Sequence, residues 1–175
     1  PVLTATGTGA VVVWQDRQIP AEAIGSFEEA AENIELSAAV FDGASFGPEV
    51  SLTSGGNTYK TTVRLLSTGD GVTACWLETD PANVMLTGGG VQIQTASLRS
   101  GVWSAPETVD AVHISAGGLT GFDAGVVDGT PMVVYAEDGQ LHYYGLDGAS
   151  DRGTLSTSGP LSSLQTVDGR LYWSD

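Results

Sequence analysis

Hydrophobic residues in this chain come in short runs that end in an aromatic residue and are separated by Gly-containing turns. Each run begins with Thr-Gly or Asp-Gly, and an acidic residue follows the aromatic residue after one intervening position. Such runs are typical of β-strands joined by tight hairpin turns, because Gly adopts positive φ without a steric penalty. Four stretches share the pattern: TGAVVVWQD (8–16), DGVTACWLE (70–78), DGTPMVVYAE (128–137) and DGRLYWSD (168–175).

Further strands are predicted on both sides of these four runs. The stretches PVLTAT, TVRLLST, FDAGVV and LSSLQTV precede the turns, so each unit is predicted to begin with a two-stranded hairpin. Third strands are predicted at 34–41, 91–98 and 141–146. Apolar and polar residues alternate in the second of these, VQIQTASL, which predicts one buried and one exposed face.

The outermost strand of a unit is predicted from a short stretch that occurs twice. FDGASFGPEV (41–50) and LRSGVWSAPETV (98–109) each contain Gly, then an aromatic residue, then Pro-Glu. Gly43 and Gly101 are 58 residues apart, and so are Pro48 and Pro106. Pro fits an edge strand, because no backbone donor is needed there. The third unit has a divergent outer strand, RGTLSTS (152–158).

Four antiparallel strands in about 60 residues are typical of a β-propeller blade. The sequence therefore predicts an all-β fold, a β-propeller segment of about three and a half blades. Blades are expected at about 1–56, 57–112 and 113–159, with a half blade at 160–175. Closed propellers usually need four or more blades. Either other chain segments complete the ring or the 175 residues belong to a longer polypeptide, and the second alternative is favoured.

The charge balance narrows the range of partners. The chain has 21 acidic and 6 basic residues, a formal net charge of −15. Nucleic acid and anionic membranes attract Lys and Arg, so neither is an expected partner. No run of 18 apolar residues occurs, so membrane insertion is not expected. The charge is best explained by solubility, while calcium or a cationic partner remains open.

Candidate chemical groups are few. Cys75 lies among apolar residues and is expected to be a buried, unreactive thiol. His113 and His142 are too few for a zinc site and are expected at or near the surface. Asp-rich turns lack the EF-hand spacing, and turn formation explains them without a metal. We therefore predict no catalytic residue, no metal site and no cofactor, and the sequence leaves the binding residues undefined.

The repeat pattern resembles a known family. The order DG-apolar-W-x-D/E followed by I-x-x-A-x-F-D-G-x-x-W-S-x-P-E is similar to sialidase-like propeller repeats of bacterial secreted and cell-surface proteins. SLRSGVW (97–103) keeps Ser97, Gly101 and Trp103 of the sialidase Asp-box, but Arg99 replaces the Asp and the Trp comes one residue early. The resemblance implies an extracellular or cell-surface location, and such repeats occur in enzymes, lectins, adhesins and scaffolds.

These observations favour a non-catalytic binding or scaffold module that recognises a glycan or a protein through loops on one propeller face. The alternative is part of a sialidase-like glycoside hydrolase whose remaining blades supply the catalytic residues, and a purely structural spacer is a third possibility. Sialidase chemistry needs clustered Arg residues, but the five Arg residues do not recur at one point of the repeat: 17, 64, 99, 152 and 170. Binding is expected at loops 17–33 and 79–90, because these vary most between units.

Overall fold

The protein is all-β and consists of a row of antiparallel sheets. The structure is a computed structural model that describes residues 1–69, 71–114, 118–146, 152–159, 161 and 163–174, with only the backbone at 89 and 110–114. Strands take up 61% of the described residues, which confirms that the fold is all-β. None of the helices in the described ranges is long and apolar enough to cross a membrane. No closed sheet occurs among the described strands.

Four sheets follow one another along the chain. Sheet 1 contains β1 (Val2–Ala5), β2 (Ala10–Arg17), β3 (Ile34–Phe41) and β4 (Val50–Ser51). Sheet 2 contains β5 (Tyr59–Thr68), β6 (Gly71–Thr79), β7 (Gly89–Arg99), β8 (Val102–Trp103) and β9 (Glu107–Ile114). Sheet 3 contains β10 (Leu119–Val127), β11 (Thr130–Glu137), β12 (Gln140–Gly145) and β13 (Arg152–Ser156). Sheet 4 contains β14 (Ser163–Val167) and β15 (Arg170–Ser174). A helix, α1 (Phe27–Glu32), and two 3₁₀ helices, Ala21–Ala23 and Pro81–Asn83, lie between strands.

Tight Asp-Gly turns join several of these strands, as predicted. Both turn residues have positive φ at 128–129, 138–139 and 168–169. Ser100 and Gly101 also have positive φ. The paired residues Glu137 and Gln140 leave only two residues between β11 and β12. The turns predicted at Asp70-Gly71 and Asp147-Gly148 lie wholly or partly outside the described residues.

The aromatic residue that ends each run holds one position in the ladders. Trp14 pairs with Ser37, Trp76 with Gln94 and Tyr135 with His142, each between the second and third strand of its sheet. Trp173 pairs with Leu164 in the two-stranded sheet 4. The aromatic pattern therefore marks a true structural repeat, with Trp76 and Tyr135 buried and Trp173 partly exposed.

The outer strands lie where the repeated stretch predicted them, but the repeat distance is different. Phe41 is paired with Phe46, and the equivalent pair Leu98 and Trp103 comes 57 residues later, not 58. Val50 opposite Ala38 and Glu107 opposite Thr95 repeat at the same 57 residues. The structural repeat, defined by strand pairing, is therefore one residue shorter than the spacing of the Pro-Glu pairs. In sheet 2 the outer strand is interrupted before Pro106, so that β8 and β9 pair with β7 separately.

Apolar side chains fill the space between consecutive sheets. Three clusters of buried residues lie along the row, and each contains members from two neighbouring sheets. Sheet 2 packs on both sides, since Trp76 and Ala96 belong to the cluster with sheet 1, while Leu77 and Ile93 belong to the cluster with sheet 3. The prediction that the third strand of this unit has an exposed face is therefore wrong, because Gln94 and Ala96 are also buried.

The first strands of the sheets lie side by side. β5 contacts β1 on one side and β10 on the other, and β10 in turn contacts β14. Asp123 of β10 joins three of these strands. One carboxylate oxygen accepts a hydrogen bond from Arg64 Nε of β5 at 3.0 Å, and the other accepts from Thr166 N of β14 at 2.6 Å and Thr166 Oγ1 at 2.8 Å. These hydrogen bonds therefore link the first strands of sheets 2, 3 and 4.

Gly9 shows why the first turn differs from the predicted Thr-Gly turn. Ala5 pairs with Ala10, so four residues form the loop, and Gly9 is not among the residues with positive φ. A Cβ on Gly9 would lie only 1.8 Å from the carbonyl oxygen of Phe41, and a Cβ on the equivalent Gly71 only 2.1 Å from that of Leu98. Gly is therefore required at this repeat position by the close approach of the third strand.

Replacing Gly9 with Ala is expected to lower the free energy of unfolding by about 2 kcal/mol, because a backbone carbonyl must move to admit the methyl group. Gly7→Ala is the matched control, since a Cβ there has no neighbour within 4 Å, and it is expected to change stability by less than about 0.5 kcal/mol. Urea unfolding of the two variants measures the difference. Equal stability of both variants would contradict the close approach.

Candidate functional site

The two loops predicted to carry binding lie against each other. Loop 17–33 contains α1, whose first turn is capped by Ser26, with the Ser26 hydroxyl accepting from Glu29 N at 3.1 Å. The Glu29 carboxylate in turn accepts from Gly25 N at 2.8 Å, so two hydrogen bonds fix the start of the helix. Loop 79–90 contains the 3₁₀ helix Pro81–Asn83, which contacts α1. Loop 17–33 thus includes a short α-helix of six residues.

The connections between sheets lie on the same side as these loops. Leu119 N, at the start of sheet 3, donates to Leu86 O of loop 79–90 at 3.3 Å. Thr157, after sheet 3, donates from its backbone N to Gly139 O at 2.9 Å. These two connections therefore pack on the loop or turn between the second and third strand of the preceding sheet. We call this side, formed by loops 17–33 and 79–90 and the connections 52–58 and 118–119, the loop face.

A polar cavity of about 340 Å³ opens on the loop face in sheet 1. Its wall combines the end of β2, the end of α1 and the connection that follows β4. All of the lining residues are polar or Gly, and neither Arg nor Lys is among them. The lining residues are Gln18, Glu32, Asn33, Glu35, Ser51, Thr53, Ser54, Gly55, Gly56 and Asn57.

A buried ion pair fixes one wall of this cavity. Lys60 Nζ lies 3.2 Å from Glu35 Oε1 and 3.3 Å from Gly56 O, and the Lys60 side chain is only 1% exposed. The Thr53 hydroxyl donates to Glu35 Oε2 and accepts from Leu36 N at 2.9 Å. Both carboxylate oxygens of Glu35 are thus engaged, and Lys60 of β5 connects sheet 2 to the end of sheet 1. Burial of two charges is tolerated only when they are paired in this way.

Two large apolar side chains stand out from the loop face. Phe27, the first residue of α1, is 69% exposed, and Met85, just after the 3₁₀ helix Pro81–Asn83, is 77% exposed. A six-residue helix is about 9 Å long, so Phe27 lies within about that distance of Glu32 at the cavity wall. The loop face therefore carries an exposed aromatic side chain at the opposite end of α1 from Glu32, which lines the cavity.

A larger gap, of about 500 Å³, lies between sheets 2 and 3 on the opposite side from the loop face. Thr68 and Gly129, at the turns between first and second strands, line it together with Arg99. Its wall ends at Leu146, next to residues 147–151, which the structure does not describe.

The single thiol and the described imidazole take part in packing. Cys75 is fully buried, as predicted, and burial, with a smaller contribution from the charge of Asp123, raises the pKa of its thiol. The His142 ring stacks on Tyr135 with centroids 4.7 Å apart, and its Nδ1 lies 3.1 Å from Thr154 Oγ1. The His113 side chain lies outside the described part. Neither Cys75 nor His142 adjoins the polar cavity.

Aspartates of the predicted turns support the local backbone. Asp42 Oδ1 accepts from Ser45 N and Ala44 N, each at 2.8 Å, and these two bonds hold the pKa of Asp42 below its usual value. Asp80 caps the 3₁₀ helix that follows it by accepting from Ala82 N at 2.8 Å. Over the described ranges, no group of three or more His, Cys, Asp or Glu side chains is placed to hold a metal ion.

Arg residues do not converge on the cavity. Arg64 is used in the ion pair with Asp123, and Arg99 lies at the gap between sheets 2 and 3. Reasoning from the sequence missed Glu35, Lys60 and Thr53, which form the buried network. One signal was available, because Lys60 is the only Lys in a chain with 21 acidic residues, and it lies within a strand-like run.

Comparison with models of known protein families finds none that matches the chain, and comparison with curated proteins finds no match. The function is therefore inferred from the geometry of the loop face and not from a relative.

Proposed function

We propose that this chain is a non-catalytic binding module that recognises a neutral glycan through its loop face. The observation that carries the proposal is the polar cavity, which opens at the end of loop 17–33 and is lined only by polar side chains and Gly. In keeping with the resemblance of its repeats, we place the module outside the bacterial cell or at its surface.

A β-propeller arrangement is the scaffold that we propose for this site. Its support is the order of the sheets: each packs face to face on the next, and their first strands are neighbours. A parallel bridge between Val127 and Gly169 links sheet 3 to sheet 4. Blades arranged around an axis bring first strands together in this way and collect the loops on one face. Further blades, from the same polypeptide or another chain, would complete such a ring.

The chemistry of the cavity favours a ligand rich in hydroxyl groups. Amide and hydroxyl side chains such as Asn33, Asn57 and Ser54 both donate and accept hydrogen bonds, as sugar hydroxyls do. The carboxylate of Glu32 adds an acceptor and repels anions. A negatively charged sugar would need Arg or Lys in the lining, and the cavity has neither. A neutral glycan therefore fits the lining better than a sialylated one.

A glycoside hydrolase is the alternative, and one observation bears on it. Glu32 and Glu35 share the cavity, and a pair of carboxylates is what glycoside hydrolysis uses. However, both oxygens of Glu35 are already bonded to Lys60 and Thr53, so this carboxylate is committed to holding sheets 1 and 2 together. It is not available to protonate a leaving group or to activate water, which favours binding without turnover.

Binding to an array of neutral and sialylated glycans tests the proposal. We expect at least one neutral glycan to bind, Phe27→Ala or Asn57→Ala to weaken it about tenfold or more in Kd, and Val102→Ala to leave it unchanged. Val102 is a suitable control because it is exposed as fully as Phe27 but lies on the outer edge of sheet 2. Preference for sialylated glycans, turnover of a bound glycan, or a protein ligand in place of a glycan would each overturn the proposal.

A further inference from the structure

The connection between sheets 1 and 2 supplies most of the wall of the polar cavity. Six of the ten lining residues lie in the stretch 51–57. Gly55 and Gly56 have positive φ, and residues 52–58 form neither helix nor strand. A Gly-Gly segment without regular structure has many accessible conformations. Contacts from outside the segment must therefore select the conformation that forms the cavity.

One end of this connection is fixed by sheet 1. Leu52 N donates to Leu36 O at 2.7 Å. The hydroxyl of Thr53 donates to Glu35 and accepts from Leu36 N at 2.9 Å. Both Leu52 and Thr53 are buried, so the connection leaves sheet 1 from a fixed point.

The other end is held by sheet 2. Lys60 Nζ of β5 donates to Gly56 O at 3.3 Å, and Glu78 Oε1 of β6 accepts from the Thr58 hydroxyl at 2.5 Å. The second oxygen of Glu78 accepts from the indole Nε1 of Trp76 at 3.4 Å, and the Trp76 side chain is fully buried between sheets 1 and 2. Neither Lys60 nor Glu78 is among the described residues that line the cavity. Both therefore act on the cavity through the residues that they bond.

We infer that Lys60 and Glu78 are positioning residues of the proposed glycan site, and that glycan binding is coupled to the packing of sheet 2 on sheet 1. A wall that is already held in its bound conformation loses little conformational entropy when a ligand binds, so the affinity is higher. Coupling is reciprocal, so an occupied cavity strengthens the contact between the two sheets by the same factor. The coupling rests on the proposed function, whereas the positioning of the wall does not.

Two variants remove contacts from sheet 2 without leaving a buried charge unpaired. Lys60→Met is made together with Glu35→Gln, which we call the double variant, and Thr58→Val removes one hydroxyl. In the double variant, nitrogen-15 relaxation is expected to show the order parameters of the Gly55 and Gly56 amides falling from about 0.85 to below about 0.6. Titration with the neutral glycan that binds most tightly in the array is expected to give a Kd about tenfold higher for the double variant and about threefold higher for Thr58→Val.

Two further variants separate positioning from stability alone. Thr58→Ser keeps the hydroxyl and is expected to restore the wild-type Kd. Asp123→Ala breaks hydrogen bonds between sheets 2, 3 and 4, so it lowers stability without changing a contact of the connection. It is expected to keep the wild-type Kd and rigid amides at Gly55 and Gly56. Circular dichroism checks that each variant keeps its strand content.

Rigid amides at Gly55 and Gly56 in the double variant, or a wild-type Kd for that variant, would overturn the inference. Weaker binding of Thr58→Val cannot come from a lost contact with the glycan, because Thr58 is not among the described residues that line the cavity. If no neutral glycan binds the wild type, the proposed function fails and the coupling fails with it, while the order parameters still test the positioning. Equal Kd values for the wild type and the double variant would leave the proposed function intact, so the two proposals fail separately.

Discussion

Glu35→Gln is expected to lower the free energy of unfolding by about 3–5 kcal/mol, the largest effect of any single change considered for this chain. The reason is the position of Lys60, whose side chain is 1% exposed and whose ammonium group is neutralised by Glu35. A Gln side chain keeps the shape but leaves a buried positive charge without its counter-charge. Most of the destabilisation then comes from the unpaired buried charge of Lys60, and less from the loss of its hydrogen bond to Glu35.

Urea unfolding of a double-mutant cycle measures this effect. Lys60→Met combined with Glu35→Gln should recover most of the stability lost in Glu35→Gln alone, because no charge then remains buried. Glu49→Gln is the control, since it makes the same change at an exposed position, and it should shift stability by less than about 0.5 kcal/mol. If Glu35→Gln and Glu49→Gln unfold at the same urea concentration, Lys60 and Glu35 are not a buried pair.

Asp123→Ala is expected to lower the free energy of unfolding by about 3 kcal/mol. It removes the acceptor for Thr166 N and Thr166 Oγ1 in sheet 4 and for Arg64 in sheet 2. Hydrogen bonds to a charged acceptor are stronger than those between neutral groups. Arg64 is partly exposed, so most of the loss is expected from the two bonds to Thr166 and not from the ion pair.

Hydrogen exchange adds a local measure of the same change. In Asp123→Ala the amides of β14 and β15 should exchange faster, while those of β2 and β3 in sheet 1 should keep their protection. Asp16→Ala is the control, because Asp16 lies in sheet 1 and its carboxylate accepts from the exposed side chain of Gln18. Unchanged exchange in sheet 4 would show that Asp123 does not hold it to sheet 3.

Hairpins and aromatic positions could be predicted from the sequence, since local chemistry determines both. Asp-Gly pairs with positive φ specify two-residue turns, and these occur at 128–129, 138–139 and 168–169. Trp76 and Tyr135 pack between sheets, and Trp14 and Trp173 hold the same position in the ladders of sheets 1 and 4. The one-residue error in the outer strand came from matching the Pro residues, which do not pair in the ladder, in place of Phe46 and Trp103, which do.

Long-range polar contacts could not be predicted from the sequence. Glu35 and Lys60 are 25 residues apart, and Asp123 and Thr166 are 43 apart, with no local pattern that links either pair. The requirement for Gly9 is also invisible locally, since it comes from the carbonyl of Phe41 on another strand. The burial of both faces of sheet 2 follows from its neighbours, so alternation within one strand could not reveal it.

The location of the loop face was predictable, but its chemistry was not. Loops 17–33 and 79–90 differ in length from the tight turn at 138–139, and that contrast identified them. The cavity depends on residues from four separate segments, namely 18, 32–35, 51 and 53–57. Only the folded chain brings these together, and the fold alone does not name the ligand.

Formation of a disulfide between sheets 3 and 4 tests the central claim. The claim is that consecutive sheets with the same strand order pack face to face, with their first strands adjacent. A Cβ on Gly121 of β10 lies 3.0 Å from the Cβ of Leu164 in β14, close to the 3.5–4.5 Å range of disulfides. With Cys75→Ala as background, Gly121→Cys with Leu164→Cys should oxidise to a form without free thiols. Leu3→Cys with Gly121→Cys should keep both thiols, because sheet 2 lies between sheets 1 and 3. Two free thiols in the first pair, or a disulfide in the second, would contradict the stacked arrangement.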